Sequence, residues 1–253
     1  MLRLLLILTL FLALPARAQQ EQIVAGLSQN RVAIDTTFVG SEILVFGAVK
    51  RDRPAPDSDL GVVVVIEGPT ETVTVRRKER RFGIWINTDE VHVSNVPSFY
   101  AVATSGAFDD VVNEEANARR LVSIDEAIWV LDRPDIADEH AFADAVIRIR
   151  EEADLYTLKE STIKVDEATL FSTAVQLPSN LVEGLYTARI YLTRGGFIVS
   201  DHISYVSVQK VGLERWLYNL AHDQPIWYGL LSLAIAIIAG YGASTAFRMF
   251  SRN

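Results

Sequence analysis

"GVVVVIEGP", residues 61 to 69, holds five β-branched aliphatic side chains in a row, Val62 to Ile66, bounded by glycine and proline. A short continuous apolar run, with no polar side chain to turn toward water, marks a strand covered on both faces. β-Branched side chains also favour the extended backbone. The run therefore predicts the central strand of a layered β structure.

The segments on either side extend that reading. Upstream lie "RVAIDTTFV" (31–39) and "SEILVFGAV" (41–49), and downstream "ETVTVRR" (71–77), "FGIWIN" (82–87) and "SFYAVATS" (98–105). All are short, rich in Val and Ile, and punctuated by Gly, Pro, Asp and Asn, as strands are. Thr72, Val73, Thr74 and Val75 alternate as an edge or half-buried strand would. Strands resume with "ATLFSTAVQLP" (168–178), "GLYTARIYLTR" (184–194) and "GFIVSDHISYVSVQK" (196–210). Arg194-Gly195-Gly196-Phe197 signals a tight hairpin, because both glycines tolerate positive φ. "LPSNLVEGLYTARIYL" resembles the corner before a sandwich's penultimate strand, where Tyr186 would hydrogen-bond back to the turn.

From Phe108 to Tyr156 the period changes. Phe142, Ala145, Val146, Ile149, Ala153 and Tyr156 recur at three and four residues, and Asp144, Arg148, Glu151 and Glu152 take the opposite face. That spacing predicts an amphipathic helix. Ser123 with Glu126 forms a capping box for a shorter helix through Trp129, ended before Pro134. Phe108, Val111 and Val112 suggest another. The three strands after this region cannot close a core alone, so one split sandwich is favoured over two domains. The expected fold is mainly β: an Ig-like antiparallel β-sandwich over 19–210, with a helical insertion at about 107–158 and one C-terminal transmembrane α-helix.

Both ends point to a membrane. "IWYGLLSLAIAIIAGYGASTAF", 226 to 247, is 22 residues without a charged side chain. As a helix it rises about 33 Å, against roughly 30 Å of hydrocarbon in a bilayer. Gln224 or Asp223 suits its cap, and Pro225 its first turn. Trp227 and Tyr228, with Trp216 before them, are expected interface anchors. At the other end, Arg3, an apolar run from Leu4 to Leu14, and Ala16-Arg17-Ala18 form a cleavable signal peptide pattern over 1–18. The expected arrangement is a bacterial inner-membrane, single-pass protein. Its bulk is periplasmic, a helix over 211–224 is interfacial or a linker packed on the sandwich, the span is 225–247, and the tail 248–253 is cytoplasmic. In that helix Leu213, Trp216, Leu217 and Leu220 share a stripe.

Charge and composition narrow the function classes. The chain has 24 basic and 32 acidic residues; without Arg3, Arg17, Arg248 and Arg252 the exported part keeps 20 against 32, a net of −12. That disfavours nucleic acid as a partner. There is no cysteine, so an exported part of this length relies on a hydrophobic core instead of disulfides. No Asn-x-Ser/Thr acceptor occurs, which favours a periplasmic over a eukaryotic secreted setting.

Three stretches, "AGLSQNRVAIDTTFVGSEILVFGAVK" (25–50), "LPSNLVEGLYTARIYLTR" (177–194) and "VGLERWLYNLAHDQPIWYGLLSLAIAIIAGY" (211–241), resemble an alphaproteobacterial transmembrane protein family over nearly the whole mature chain. The resemblance implies the same plan of signal peptide, exported domain and C-terminal helix. It brings no activity and no catalytic residues to map. It also points toward sulfite-exporter-like permeases as membrane partners.

Two candidate sites stand out. Ser232, Ala236, Gly240 and Ser244 fall every fourth residue, a small-residue stripe that admits a second helix closely, although small residues are ordinary in membrane helices. "RRKERR" places Arg76, Arg77, Lys78, Arg80 and Arg81 within six positions. Such a cluster can hold phosphate, sulfate or an anionic headgroup; the alternative is a solvated hairpin loop. The four histidines, His92, His140, His202 and His222, are scattered. Only His140 has acidic company, in Asp138, Glu139 and Asp144, and a metal site there is disfavoured. Neither a nucleophile motif nor a Gly-rich phosphate loop occurs, so no catalytic residue, cofactor or metal is assigned. The expected partners are the lipid bilayer and another membrane or envelope protein, or a second copy through the final helix. The expected function is a non-catalytic interaction or assembly protein; the alternative is an accessory, solute- or anion-sensing subunit of a permease.

Overall fold

The strand over Leu60–Glu67 (β4) lies inside a six-stranded sheet, and Val62 to Ile66 are each 0 % exposed in the computed structural model. The structure describes residues 21–51, 54, 58–130 and 140–250; the signal peptide pattern, together with Asp138 and Glu139, lies outside them. Strand β4 sits between Gly184–Arg194 (β12) and Tyr100–Thr104 (β7) in the order β2-β13-β12-β4-β7-β9. The outer members are Arg31–Ile34 (β2), Phe197–Lys210 (β13) and Tyr156–Lys159 (β9). A second sheet, ordered β1-β3-β11-β10, contains Gln22–Leu27 (β1), Ser41–Lys50 (β3), Leu170–Leu177 (β11) and Lys164–Asp166 (β10).

Alternation builds the core. Ile43, Val45 and Val49 of β3, and Phe171, Val175 and Leu177 of β11, are buried between neighbours that are exposed or half-buried. On β4 the inward row is Val62, Val64 and Ile66, in register with Leu192, Ile190 and Ala188. Removing each such side chain from water stabilises the fold by roughly 2 kcal/mol. The opposite face of β4 is covered too. A Cβ added to Gly61 would lie 2.7 Å from Val111, and the Tyr100 hydroxyl donates to the Leu121 carbonyl at 2.7 Å. Helices over Phe108–Val111 (α1), Glu114–Arg120 (α2) and Ile124–Ala127 (α3) provide those residues or flank them. The predicted two-sided cover of 62–66 is therefore found.

Several local expectations are met. The Ser123 hydroxyl accepts from the Glu126 N–H, capping α3. Gly195 and Gly196 both have positive φ, at 54° and 83°, in the turn that joins β12 to β13. The Tyr186 hydroxyl donates to the Val182 carbonyl at 2.8 Å, closing the corner before β12.

Other expectations need correction. The four-stranded sheet is antiparallel throughout, but at the two edges of the six-stranded sheet β2 runs parallel to β13, and β9 parallel to β7. The strand expected over 31–39 stops at Ile34, because the Asp35 carboxylate takes the Thr37 N–H at 2.8 Å and its hydroxyl at 2.7 Å in a local turn. The helix expected through Trp129 ends at Ala127, and Trp129–Val130 (β8) pairs with Val93 and Ser94. The insertion is accordingly not helical throughout, since β8 and β9 fall within it.

The amphipathic helix spans His140–Glu152 (α4), and its core face is rotated from the expected one. Phe142 and Val146 are buried with Ala143 and Ile147 packed beside them, whereas Ile149 is 57 % exposed. Beyond α4 the chain turns at Asp154, φ 57°, so Tyr156 belongs to β9 and not to the helical stripe. "RRKERR" is a strand, not a loop: Thr70–Arg81 (β5) pairs throughout with Ile84–Pro97 (β6), and the two with β8 make a third sheet. The turn is only Phe82-Gly83, with φ 51° and 85°.

Candidate functional site

Two helices close the chain, Leu213–Asp223 (α5) and Pro225–Phe250 (α6). Gln224 lies between them; its N–H donates to Leu220 and its carbonyl accepts from Tyr228 at 3.2 Å, ending one helix and opening the next. With 26 residues α6 measures about 39 Å, and it continues past the expected end at 247. None of its most apolar stretch, Pro225–Ser244, is buried. Ile226, Leu230, Leu233, Ile235, Ile237 and Ile238 all stand more than half exposed. A helix apolar on every side, with its backbone groups bonded internally, is stable where lipid replaces water.

The expected interface anchors lie around the junction of the two helices: Trp216 is 52 % exposed, Trp227 64 % and Tyr228 40 %. The Tyr218 ring stacks on His222 at 4.0 Å, and the His222 Nδ1 lies 2.9 Å from the Tyr218 carbonyl. Ser232, Ala236, Gly240 and Ser244 all lie on exposed α6, and a Cβ placed on Gly240 or Gly229 would meet nothing within 4 Å. The stripe is therefore open to a second helix.

The basic strand does not converge on one point. Arg76 pairs with Glu90 at 2.8 Å, and this guanidinium holds the Glu90 carboxyl below the usual carboxylate range. The Arg77 guanidinium lies 4.8 Å from the centre of the Phe142 ring. Arg81 pairs with Glu79 at 3.1 Å. Among the described residues, Lys78 and Arg80 have no carboxylate within ion-pair distance. Strand alternation sends neighbouring cations to opposite faces, so the five form a charged ribbon and not a pocket for a small anion.

The histidines stay dispersed. His92 contacts the Thr74 hydroxyl at 3.0 Å, His202 the Ser204 hydroxyl at 3.1 Å, and His140 opens α4. Among the described residues no group of three His, Cys, Asp or Glu side chains is placed to hold a metal.

Three features carry little or no sequence signal. Val24, Leu44, Phe46 and Leu170 are 44–60 % exposed on the outer face of the four-stranded sheet. Register sets Val24 and Leu170 on either side of Ala48. Beside Phe46 lies a shallow hollow of about 420 Å³, reaching from Val24 to Asp166 and Ser172. Glu21, 6 % exposed, is held by Arg51 at 2.6 Å and in a fork by Arg194 at 2.8 and 3.1 Å. The Arg194 hydrogen bond, ahead of Arg51 and against the effect of burial, keeps the Glu21 carboxyl below its ordinary value. Arg189 meets Glu67 at 2.9 Å and the Tyr100 hydroxyl at 3.1 Å, and burial pushes the Tyr100 phenol up. These ion pairs join residues far apart in the chain; both Glu21 oxygens are held by arginines, whereas the Arg189 Nε is buried without a hydrogen-bond partner. The pairs tie strands together, as buried pairs do when geometry is good.

The chain matches the family described as "Putative transmembrane protein (Alph_Pro_TM)" over residues 22–249. The chain belongs to this family. The matched range takes in both sheets, the basic ribbon and α6, so the resemblance seen in the three quoted stretches extends over the whole described fold. No match was found among curated proteins or solved structures. Membership of a transmembrane family and, among the described residues, one bare apolar helix fit a single-pass membrane protein in contact with lipid.

Proposed function

We propose that this family member is a bilayer-anchored interaction or assembly protein. Its β part, exported to the periplasmic side of an inner membrane, binds or positions another membrane or envelope protein without catalysing a reaction. The observation that carries this reading is the outward apolar face of the four-stranded sheet, Val24, Leu44, Phe46 and Leu170, on a chain otherwise rich in surface charge. Contiguous exposed apolar surface of this kind is what protein contacts use. The open stripe on α6 adds a second contact within lipid, where close helix packing drives association. The signal peptide pattern and the net charge of −12 on the exported part support the orientation. The permease-sensor alternative draws less support, because the basic ribbon forms no anion pocket.

Purification of the full chain in mild detergent, followed by identification of co-purifying proteins, tests the reading. A stoichiometric partner that is lost with Phe46→Glu or Gly240→Ile supports it. A chain that purifies alone, with both variants behaving as the parent, counts against it. A reporter fused after Lys210 that is active only in the cytosol would refute the orientation.

A further inference from the structure

The ribbon that carries "RRKERR" is the continuation of the central strand pair. Val63 to Glu67 of β4 pair with Thr104 to Tyr100 of β7; Gly68 N–H then bonds the Phe99 carbonyl at 2.8 Å, and Ser98 N–H the Pro69 carbonyl at 2.9 Å. From Thr70↔Pro97 the ladder runs on to Arg81↔Ile84. The pairing is unbroken apart from two bulges, so a single two-stranded ribbon begins inside the six-stranded sheet and leaves it.

Its direction follows from the register. Strand β12 is antiparallel to both β4 and β13, so β4 and β13 run the same way. Glu67 is level with Tyr205 through their shared neighbour Thr187. From that level β13 continues five residues to Lys210, where the chain leaves for α5 and α6, while the ribbon continues fourteen to Arg81. The ribbon thus projects from the same end of the sheet as the membrane helix, and reaches about 30 Å farther at the rise of an extended strand. Connecting helix α5 is itself only about 17 Å long.

The tip has the chemistry of a bilayer contact. Helix α4 braces the ribbon as far as Arg77, through Phe142 under that guanidinium and an Arg150–Glu71 ion pair. Beyond it Phe82 is 105 % exposed, Ile84 65 % and Trp85 67 %. Phe82 also sits at φ 51°, in the left-handed region where a bulky residue is rare and glycine or asparagine is usual. Folding within the chain gains nothing from that side chain. Lys78, Arg80 and Arg81 occupy the rungs opposite Asn87, Trp85 and Ile84. Cations thus flank exposed aromatic and aliphatic side chains on a protein whose net charge is −8. Apolar side chains that enter the headgroup boundary, ringed by Lys and Arg that meet anionic lipid, are how interfacial segments bind.

We infer that the β5–β6 tip is a second membrane contact, dipping Phe82, Ile84 and Trp85 into the bilayer that α6 spans, with Lys78, Arg80 and Arg81 on anionic headgroups. Together the tip and α6 would hold the sheets at a set tilt to the bilayer. The inference rests on α6 crossing the membrane and not on any protein partner.

The absence of cysteine permits a direct test on the full chain in nanodiscs. Ile84→Cys, and Ser58→Cys at the far end of β4, each receive an environment-sensitive fluorophore. Discs carry lipid-borne quencher with either phosphatidylglycerol or phosphatidylcholine. The expected result is quenching at position 84 several-fold above that at 58, stronger in phosphatidylglycerol, and reduced when Lys78, Arg80 and Arg81 are changed to Glu. Quenching at 84 no greater than at 58 in both lipids overturns the inference, as does probe burial that depends on protein concentration and not on lipid, which would mark a second copy as the occupant. Because the discs hold only this chain, failure here leaves the protein-partner reading standing.

Discussion

Strands β4 and β5 are two halves of one ribbon, yet they live in opposite surroundings. Val62 to Ile66 are wholly enclosed by two layers, whereas nine of the twelve positions of β5 are exposed, and its tip has no cover at all. The backbone bonding is alike in both, so hydrogen bonds do not make the difference. Burial does: the inner half supports the fold, and the outer half depends on it and is free to serve an outside contact. The ribbon changes role at Gly68-Pro69, where a Cβ on Gly68 would sit 2.6 Å from the Ser98 hydroxyl and 3.0 Å from Tyr186.

The sharpest test of this contrast changes the same residue type in both halves. Ile66→Ala is expected to cost roughly 3–4 kcal/mol in urea unfolding of the full chain in detergent, because it opens a cavity in a packed core. Ile84→Ala, in the same assay, is expected to stay within about 0.5 kcal/mol. Similar losses at both sites would break the distinction.

Next in size is Glu21→Gln, expected to destabilise by about 3 kcal/mol through the uncompensated charge of Arg51 and Arg194. The sign of its pH dependence follows from the lowered carboxyl. With the folded value below the ordinary 4.5, its contribution is complete above about pH 4.5 and is lost as pH falls through the lower folded value. Acid unfolding of the parent should show this loss, and Glu21→Gln should lack it. Tyr186→Phe removes the hydrogen bond to Val182 and should cost about 1 kcal/mol by the same unfolding measurement. Smallest of all, Lys78→Ala should leave stability in detergent within about 0.5 kcal/mol, in keeping with an exposed cation outside the core.

Legibility in the sequence followed the range of the interaction that decided each feature. The Val62–Ile66 run, the Ser123 cap, the Gly195-Gly196 turn and the Tyr186 corner are local, and each was readable from a few adjacent residues. For helix α4 the period places Phe142 and Val146 inward, as found, but also Ile149, which stands exposed while Ala143 and Ile147 pack, because no helical period reveals where the covering strands lie. The six polar residues of "RRKERR" show no buried face, so the sequence leaves a solvated loop open as an alternative; cross-strand bonds to residues 84–90 hold the segment extended all the same. Of the candidate site, the cations and the final helix were visible as composition. The exposed Phe82-Gly83-Ile84-Trp85 tip was hidden inside what read as an ordinary apolar strand.

Taken by itself, the chain determined most of its long strands, its apolar C-terminal helix and the identity of its central strand, since side-chain period and hydropathy act over neighbouring residues. Only the tertiary structure decided the parallel edges, the partners of Glu21 and the end of the sheet from which the basic ribbon projects. Those depend on pairings between residues tens to more than a hundred positions apart, and such pairings are selected by how whole layers fit together.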